Sequence, residues 1–277
     1  MDLSIIIVNY NVTNYLRKCL QSIQKYAIKI SYEVIVIDNQ STDISWKDLI
    51  NEFPEVKFIA NPSNDGFSKA NNTAIKQAKG DYLLLLNPDT ELESYLFEDL
   101  LSFAKSRPQL GCLGVRMHDA AGIFLPESKR SVPDMFNSFE KLFLGLKRNH
   151  SKSYYRSDLS EDAVSEVEVI TGAFLLCKRE VYNAIGGLDE QYFMYGEDID
   201  LCYTFLQRGY QNYYYGKHSI LHHKGESTVK DEVYLQRFYG AMQIFLDKYY
   251  KKNWFQHRLL SWGLKLKHTI ERKKLEK

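Results

Sequence analysis

The sequence predicts an α/β fold built on a doubly wound, mostly parallel sheet. Within about the first ninety residues, four apolar runs that are β-branched or leucine-rich alternate with helical patterns. Alternation at this spacing is typical of parallel strand, helix, strand units. Each apolar run is followed by asparagine or aspartate, as expected where a strand buried on both faces reaches the edge of its sheet.

The elements of this first part follow one another regularly. In chain order they are a strand at 3–8, a helix from Thr13, a strand at 32–37, a helix at 45–53, a strand at 56–60, a helix at 67–79 and a strand at 81–86. Thr13 is a candidate N-cap. Pro88 must end the last strand because it has no N–H for a ladder, so Asp89 is expected on an exposed turn.

The second part of the chain is less regular. It predicts a helix at 93–106, a strand at 110–116, a return of the sheet at 166–176, a helix at 178–185, short strands at 212–215 and 219–222, and a long helix at 230–249. Residues 131–162 are polar, are interrupted by Pro133 and have no strong period. This segment is interpreted either as a mobile insertion or lid or as a surface excursion without a role.

Composition limits the class of protein. The 277 residues, 44% hydrophobic and 26% charged, fit one large domain or a domain with an appendage. The net charge of +1 combines an acidic body with a basic C-terminal segment. Four cysteines without CxxC spacing suggest neither a zinc site nor a disulfide framework, and favour a reducing cytoplasm. Neither a signal peptide nor a membrane-spanning run is expected, so the predicted location is the cytoplasm or the inner face of the cell membrane.

Polar residues lie at the ends of the predicted strands. They are Asn9, Asn11, Asp38, Asn64 and Asp89. Because carboxyl ends of parallel strands lie side by side, these residues are expected to converge on one crevice. Asp38 could accept from a ribose hydroxyl or a base N–H, and Asp89 could hold a hard cation that neutralises a diphosphate. Taken singly, each could also be a turn or N-cap residue.

Two familiar nucleotide-binding loops are missing. The segment NYNVTN after the first strand has no glycine, so it lacks the GxGxxG pattern, and no GxxxxGK[ST] occurs anywhere. A nucleotide is therefore not held in either of those ways.

Three carboxylates occur within four positions, at Glu197, Asp198 and Asp200. Such a cluster repels itself unless a positive charge or a proton is nearby, and it can supply a general base. At the start of a helix the same acids would also interact favourably with the helix dipole or pair with Lys and Arg. Spacing does not choose among them. His222 and His223 precede a glycine turn, where a ligand and a packed residue are equally compatible with the pattern.

The C-terminal segment 253–277 is basic and places apolar residues at spacings of 4, 3, 4 and 4, namely Phe255, Leu259, Trp262, Leu266 and Ile270. A helix would then have an aromatic and aliphatic face beside basic flanks. This pattern is typical of an interfacial helix attracted to anionic lipid. A helix docked on the body, or on a second subunit of a homodimer, fits it as well. Nucleic acid is not an expected partner, because the body is acidic.

A set of motifs recurs in order over residues 3–228 and resembles family 2 of the glycosyltransferases, in particular the rhamnosyltransferase-like bacterial branch that builds surface polysaccharides. The motifs are SIIIVNYN at 4–11, IVIDNQSTD at 35–43, NDGFSKANN at 64–72, GDYLLLLNPDTEL at 80–92, TGAFLL at 171–176, GGLDEQYFMYGEDIDLCYTFLQRGY at 186–210 and HHKGES at 222–227. Two positions depart from the family pattern. Asn87 replaces the first acid of its DxD-like element, and Ala74 stands where glycine is usual.

The resemblance implies a GT-A fold, with a mostly parallel doubly wound sheet, a small mixed second sheet and C-terminal helices. It implies an inverting transfer from a nucleotide-diphospho-sugar, dTDP-rhamnose or a UDP-hexose, to a glycan or lipid-linked glycan, with a divalent cation, Mg or Mn. The implied binding residues are Asn9 and Asn11 at the base, Asp38 at the nucleoside, Asn64 and Asn72 closing the pocket, Asp89 at the metal, and His222 at the metal or diphosphate. Asp198 of the Glu197-Asp198 pair is the implied base.

The predicted domains follow the motifs. Residues 1–228 form the catalytic domain, divided into a nucleotide-binding half at 1–116 and an acceptor half at 117–228, and residues 229–277 form a basic helical appendage. An alternative is a catalytically silent module that binds a nucleotide-sugar or a carbohydrate, against which the retained Glu197-Asp198 pair argues. A nucleotidyltransferase would need a glycine-rich first loop, which the chain lacks.

Overall fold

The structure is a computed structural model that describes residues 1–27, 29–133, 154–224 and 231–275. The strands in these ranges are β1 (Leu3–Asn9), β2 (Tyr32–Asp38), β3 (Lys57–Ala60), β4 (Tyr82–Leu86), β5 (Thr90–Leu92), β6 (Leu110–His118), β7 (Val164–Val167), β8 (Phe174–Lys178) and β9 (Gln211–His222). The helices are α1 (Thr13–Tyr26), α2 (Leu49–Glu52), α3 (Phe67–Ile75), α4 (Phe97–Lys105), α5 (Arg179–Ala184), α6 (Glu197–Gln207), α7 (Glu232–Tyr249) and α8 (Trp254–Leu275).

The strands form one sheet in the order β3-β2-β1-β4-β8-β6-β9-β5, with β7 also paired to β9. The predicted α/β class is confirmed. The sheet is mixed rather than mostly parallel, because β8 runs antiparallel to both β4 and β6 while β3, β2, β1 and β4 are parallel. The expected small second sheet is part of the main one, since β9 pairs with β6 and also carries β5 and β7.

The chain forms one strand where the sequence predicts two short ones, at 212–215 and 219–222. Strand β9 is continuous, but its register against β6 shifts between Tyr215 and Ser219, opposite Val115 and Arg116. Such an irregularity inserts extra residues on one strand and interrupts the alternation of buried and exposed side chains. The interrupted alternation at residues 216–218 is the reason that the pattern indicates a break.

Both faces of the sheet are buried, as the continuous apolar runs predict. On β1, Ile5 and Ile7 pack toward the side covered by α1 and α4, whereas Ile6 and Val8 pack toward the side covered by α3, α5 and α6. Successive side chains of a strand point to opposite faces, so one run of apolar residues packs into the core on both sides of the sheet. Because helices pack on both faces, the carboxyl ends of β1, β2 and β4 are held together at one edge of the sheet.

Several boundaries differ from the sequence prediction. The helix expected at 93–106 begins at Phe97, because residues 90–92 form β5. The return of the sheet at 166–176 is two strands, β7 and β8, separated by a loop. Thr13 is the first residue of α1 rather than its N-cap, and its hydroxyl donates to Asp43 Oδ2 at 3.0 Å. Of the predicted insertion at 131–162, residues 134–153 lie outside the described residues.

The C-terminal helices pack on the rest of the chain. On α7, Lys248 Nζ lies 2.9 Å from Asp200 Oδ2 and 2.7 Å from Asp189 Oδ2, and Tyr249 donates its hydroxyl to Asp200 Oδ1 at 2.8 Å. Helix α8 in turn packs against α7. Across the described part of the chain, no helix combines the length and apolarity needed to cross a bilayer.

Candidate active site

The ends of β1 and β2 bring two of the predicted residues into direct contact. Asn9 and Asp38 are register partners, both side chains are buried, and Asn9 Nδ2 donates to Asp38 Oδ1 at 2.7 Å. Asp38 also accepts from the backbone N–H and the hydroxyl of Ser41, at 3.0 and 2.6 Å. Asn9 Oδ1 is buried and finds no hydrogen-bond partner in the described part of the chain. A buried polar atom in this state is expected to meet a ligand or water.

Asn11 and Asn64 shape the loops around this pair. Asn11, in a left-handed conformation with φ 57°, accepts through Oδ1 from the N–H groups of Thr42 at 2.8 Å and Asp43 at 3.1 Å. Asn64 Oδ1 accepts from Asn39 Nδ2 at 2.8 Å. Both carbonyl oxygens are therefore engaged within the protein, which holds the 39–43 loop beside Asp38.

The structure places Asn72 against a different part of the chain. Its Oδ1 accepts from the hydroxyl of Tyr182 at 2.7 Å, and its Nδ2 donates to the backbone carbonyl of Leu188 at 2.8 Å. Asn72 thus connects α3 to the segment that follows α5. These contacts give it a structural role and do not join it to the Asn9–Asp38 pair.

The predicted metal residues lie together because of strand β5, which the sequence pattern does not indicate. Thr90 of β5 pairs with His222 of β9, and the N–H of His223 donates to the carbonyl of Asp89 at 2.8 Å. As a result His222 Nε2 lies 3.4 Å from Asp89 Oδ1. Both side chains are buried, so the expectation of an exposed Asp89 is wrong. Within the described ranges, Asp89 Oδ1 and His222 Nδ1 have no hydrogen-bond partner.

Asp89 and His222 have side chains that suit a divalent cation, but two protein ligands are too few to hold one. A carboxylate oxygen and an imidazole nitrogen suit Mn²⁺, and the carboxylate suits Mg²⁺. Among the residues that the structure describes, no group of three or more His, Cys, Asp or Glu side chains is placed to hold a metal ion. A cation bound here would need further ligands beyond these two side chains, such as the phosphates of a nucleotide.

The acidic cluster begins helix α6. Tyr195 and Gly196 precede it with φ values of 69° and 78°, so the chain turns sharply before Glu197. Asp198 Oδ2 accepts from Arg130 Nη2 at 2.6 Å and from the N–H of Gly172 at 3.1 Å. Among the residues that the structure describes, its Oδ1 accepts only from the N–H of Ile199, at 2.8 Å. Asp198 is therefore oriented through Oδ2, with lone-pair capacity remaining on Oδ1.

The three acids differ in burial and in hydrogen-bond partners, so the structure distinguishes them where spacing along the chain does not. Asp200 is buried against α7 and is bonded to Lys248 and Tyr249. Glu197 is buried and leaves Oε2 without a partner. Only Asp198 combines a fixed orientation with partial exposure, its side chain being 13% accessible.

A short loop between β7 and β8 connects the turn that carries Asp89 with the start of α6. The N–H of Asn87, two residues before Asp89, donates to the carbonyl of Ala173 at 3.0 Å. The adjacent Gly172 donates its N–H to Asp198. The structure therefore joins the turn that carries Asp89 to the carboxylate of Asp198 through the backbone of two consecutive residues.

Arg130 is a site residue that the sequence analysis missed. A two-way backbone bridge to Val169, 2.9 Å in both directions, fixes its position, and its guanidinium also donates to the carbonyl of Ile170 at 3.0 Å. The side chain is buried, and its Nε has no hydrogen-bond partner among the described residues. No periodic pattern marks it, because it stands in an irregular segment. The only signal in the sequence is a Lys-Arg pair in ESKRSVP, just before the predicted insertion.

Glu197 is expected to make stability depend on pH. Burial first, and then the negative charge of Asp198, raise the pKa of Glu197 to about 8 from an ordinary 4.5. Because the folded chain holds this proton more tightly, Glu197 stabilises the fold fully below its ordinary pKa, and the contribution is lost as pH rises toward the raised value. In Glu197→Gln, the free energy of unfolding should therefore fall less between about pH 5 and pH 9 than in the wild type.

Urea unfolding at several pH values measures this difference. Each unit of raised pKa corresponds to about 1.4 kcal/mol, so the two curves should separate by more than that amount over the range. Glu98→Gln, an exposed glutamate on α4, is the matched control and should follow the wild type. Parallel curves for Glu197→Gln and wild type would show that Glu197 ionises normally.

Comparison with known proteins identifies the family. The model of glycosyl transferase family 2 matches residues 4–186. The chain is 29% identical over 258 residues to N-acetylglucosaminyl-diphospho-decaprenol L-rhamnosyltransferase of Mycobacterium tuberculosis, covering 88% of this chain and 83% of that protein. It is 28% identical over 229 residues to rhamnosyltransferase WbbL of Escherichia coli, covering 79% of this chain and 82% of that protein.

The fold is shared with solved structures at lower identity. The crystal structure of GalNAc-T7 with UDP, GalNAc and Mn²⁺ superimposes with a TM-score of 0.61 at 17% identity, over 80% of this chain and 44% of that one. The chain thus spans less than half of that larger protein. This likeness supports the GT-A fold. Since the family model covers most of the sequence, the chain belongs to glycosyl transferase family 2 and is a rhamnosyltransferase-like glycosyltransferase.

Proposed function

We propose that the protein transfers a sugar, with inversion, from a nucleotide-diphospho-sugar to a glycan acceptor in surface polysaccharide synthesis. The relatives named as rhamnosyltransferases favour dTDP-rhamnose as donor, with a UDP-hexose as the other candidate. The name of the mycobacterial relative supports a lipid-linked acceptor. The observation that carries the proposal is the Asp198 carboxylate, held by Arg130 and by Gly172 and linked through Ala173 to the Asp89 turn.

Asp198 is the proposed general base. An inverting transfer needs a base that takes the proton of the acceptor hydroxyl from the side opposite the leaving group. Asp198 Oδ1 accepts one backbone N–H and keeps lone-pair capacity for that hydroxyl, while Oδ2 is fixed by Arg130 and Gly172. We assign Arg130 a positioning role, since its guanidinium donates to Asp198 Oδ2 at 2.6 Å.

The strand-end residues form the proposed donor side. Asp38 and Asn9 contact the nucleoside, while Asn11 and Asn64 hold the loops around it. Asp89 and His222 bind a divalent cation, Mg or Mn, together with the donor phosphates. When bound, the cation stabilises negative charge on the departing diphosphate. Asn72 acts at this pocket only indirectly, by fixing α3 against the segment at 182–190.

Two further proposals concern organisation and location. We propose a nucleotide-binding half at 1–116, an acceptor half at 117–228 and a C-terminal unit from 229, with the contacts of Lys248 and Tyr249 fastening that unit to α6. We also propose a cytoplasmic location at the inner face of the membrane. A lipid-linked acceptor and four cysteines that are free thiols support it.

Donor identity is tested by a thermal-shift screen. Nucleotide-sugars of the dTDP, UDP and GDP series are added with and without Mn²⁺, because a ligand that binds the folded state raises its melting temperature. The stabilising donor is then tested for slow hydrolysis without acceptor. Hydrolysis supports transferase chemistry, whereas binding without any turnover of donor would favour a silent binding module.

For Asp89→Ala we expect the loss of metal-dependent donor binding. The change removes the one carboxylate that the NPD element provides, so calorimetric affinity for the donor with Mg²⁺ or Mn²⁺ should fall by at least about tenfold. Affinity without metal should change little. Asp81→Ala, an exposed acid just before β4, is the matched control. If Asp89→Ala retained the wild-type response to metal, Asp89 would not be a ligand.

A further inference from the structure

Helix α8 docks through one face and leaves the opposite face in solvent. Leu260, Gly263 and Leu264 are buried and pack with Leu235 and Tyr239 of α7. The aromatic and aliphatic residues singled out in the sequence are largely on the other side. Phe255 is 63% exposed and Trp262 62%, and Leu266 and Ile270 are exposed as well. Docking on the body therefore does not explain this apolar face.

Cationic residues share the exposed side. At 100° per residue, Arg258, Lys265 and Lys273 fall within about one quarter turn of Trp262 on the helix circumference. All three are exposed, and none forms an ion pair with a described residue. By contrast, Lys267 and Lys274 pair with Glu271 at 3.5 and 3.1 Å. Unpaired positive charge is thus concentrated beside the exposed apolar residues.

We propose that this face of α8 lies on an anionic membrane surface. The face consists of Phe255, Trp262, Leu266 and Ile270 together with Arg258, Lys265 and Lys273. Aromatic and aliphatic side chains enter the boundary between headgroups and acyl chains, and each basic residue near an anionic surface contributes attraction. The inference rests on α8 alone and does not depend on which sugar is transferred.

A second copy of the chain fits this face less well. A symmetric contact between two α8 helices would bring the basic residues Arg258, Lys265 and Lys273 of one copy against the same basic patch of the other, since a two-fold interface is formed by the same surface on both sides. Like charges facing each other oppose association. Anionic lipid supplies both an apolar layer and the negative charge that these cations lack.

Vesicle flotation with the full chain tests the proposal. We expect binding to vesicles of phosphatidylcholine with about 30% phosphatidylglycerol, no binding to phosphatidylcholine alone, and loss of binding at high salt. Trp262→Ser/Leu266→Ser should lose binding because the apolar contact is removed. Arg258→Glu/Lys265→Glu/Lys273→Glu should lose it because the charge is reversed. Both variants change solvent-exposed side chains, so melting temperatures should match the wild type.

A matched charge control excludes a simple effect of net charge. Lys47→Glu/Lys57→Glu/Lys217→Glu makes the same change at three exposed lysines outside α8 and should bind vesicles like the wild type. Wild-type binding by the α8 variants, or equal binding to neutral vesicles, would overturn the proposal. So would a dimer in light scattering that becomes monomeric in Trp262→Ser/Leu266→Ser without any vesicle binding. Transfer to a water-soluble acceptor should be unchanged in the α8 variants, which separates this test from that of the proposed activity.

Discussion

Asp198→Asn is expected to abolish sugar transfer while donor binding is retained. The amide keeps the shape of the side chain and can still accept from Arg130 or Gly172, but it cannot take a proton from the acceptor hydroxyl. Loss of a positioned general base costs typically about 10² to 10⁴-fold in rate. The transfer rate at saturating donor and acceptor measures the loss, and calorimetry measures donor affinity.

The control for this variant is another aspartate changed in the same way. Asp48→Asn, at the exposed residue immediately before α2, should retain full transfer. If Asp198→Asn transferred sugar at the wild-type rate, the base would have to be a different group. Loss of donor affinity in step with the rate would instead place Asp198 on the donor side.

Arg130→Met is expected to slow transfer strongly, because the guanidinium orients Asp198 through its contact with Oδ2 at 2.6 Å. Breaking a buried ion pair from one side also destabilises a fold, by about 3–5 kcal/mol in general. The rate at saturation should therefore fall while the KM for donor changes little. Arg130→Lys should recover part of the rate, since the ammonium retains the charge but not the planar geometry of two bonds.

The rate per folded molecule separates this role from a merely structural one. Loss of positioning slows the enzyme that is still folded, whereas a merely structural loss lowers the folded fraction and leaves the rate of each folded molecule unchanged. Arg179→Met is the matched control, because Arg179 Nε donates to the carbonyl of Gly80 at 2.6 Å and its guanidinium forms no ion pair among the described residues. A wild-type rate per folded molecule in Arg130→Met would limit Arg130 to holding the fold.

The sequence predicts those parts of the site that depend on local structure. A buried apolar run and the polar residue that ends it are neighbours in the chain, so the sequence alone places Asn9, Asp38 and Asp89 at one sheet edge. Parallel pairing of β1 with β2 and β4 brings these ends together as expected. Local pattern is sufficient here because the sheet imposes the same geometry on every strand end.

The rest of the site depends on contacts between distant parts of the chain. Arg130 meets Asp198 across 68 positions, and no periodicity marks such a pair. His222 reaches Asp89 only because β5, three residues long, pairs with β9. The proposal of Asp198 rather than Asp200 as the base likewise depends on α7, where Lys248 and Tyr249 form hydrogen bonds with Asp200. These selections arise from tertiary packing, which spacing along the chain does not encode.

The loop between β7 and β8 has a consequence for how such enzymes can diversify. Gly172 and Ala173 use only backbone N–H and C=O groups to connect Asp198 with the Asp89 turn. A side chain added at Gly172 would meet the Cβ of Asp198 at 3.5 Å, an ordinary contact. In the proposed mechanism, the distance between the leaving group and the attacking hydroxyl is thus set by peptide units that any residue except proline supplies at position 172. Side chains around the sugar could then be exchanged without changing this backbone connection.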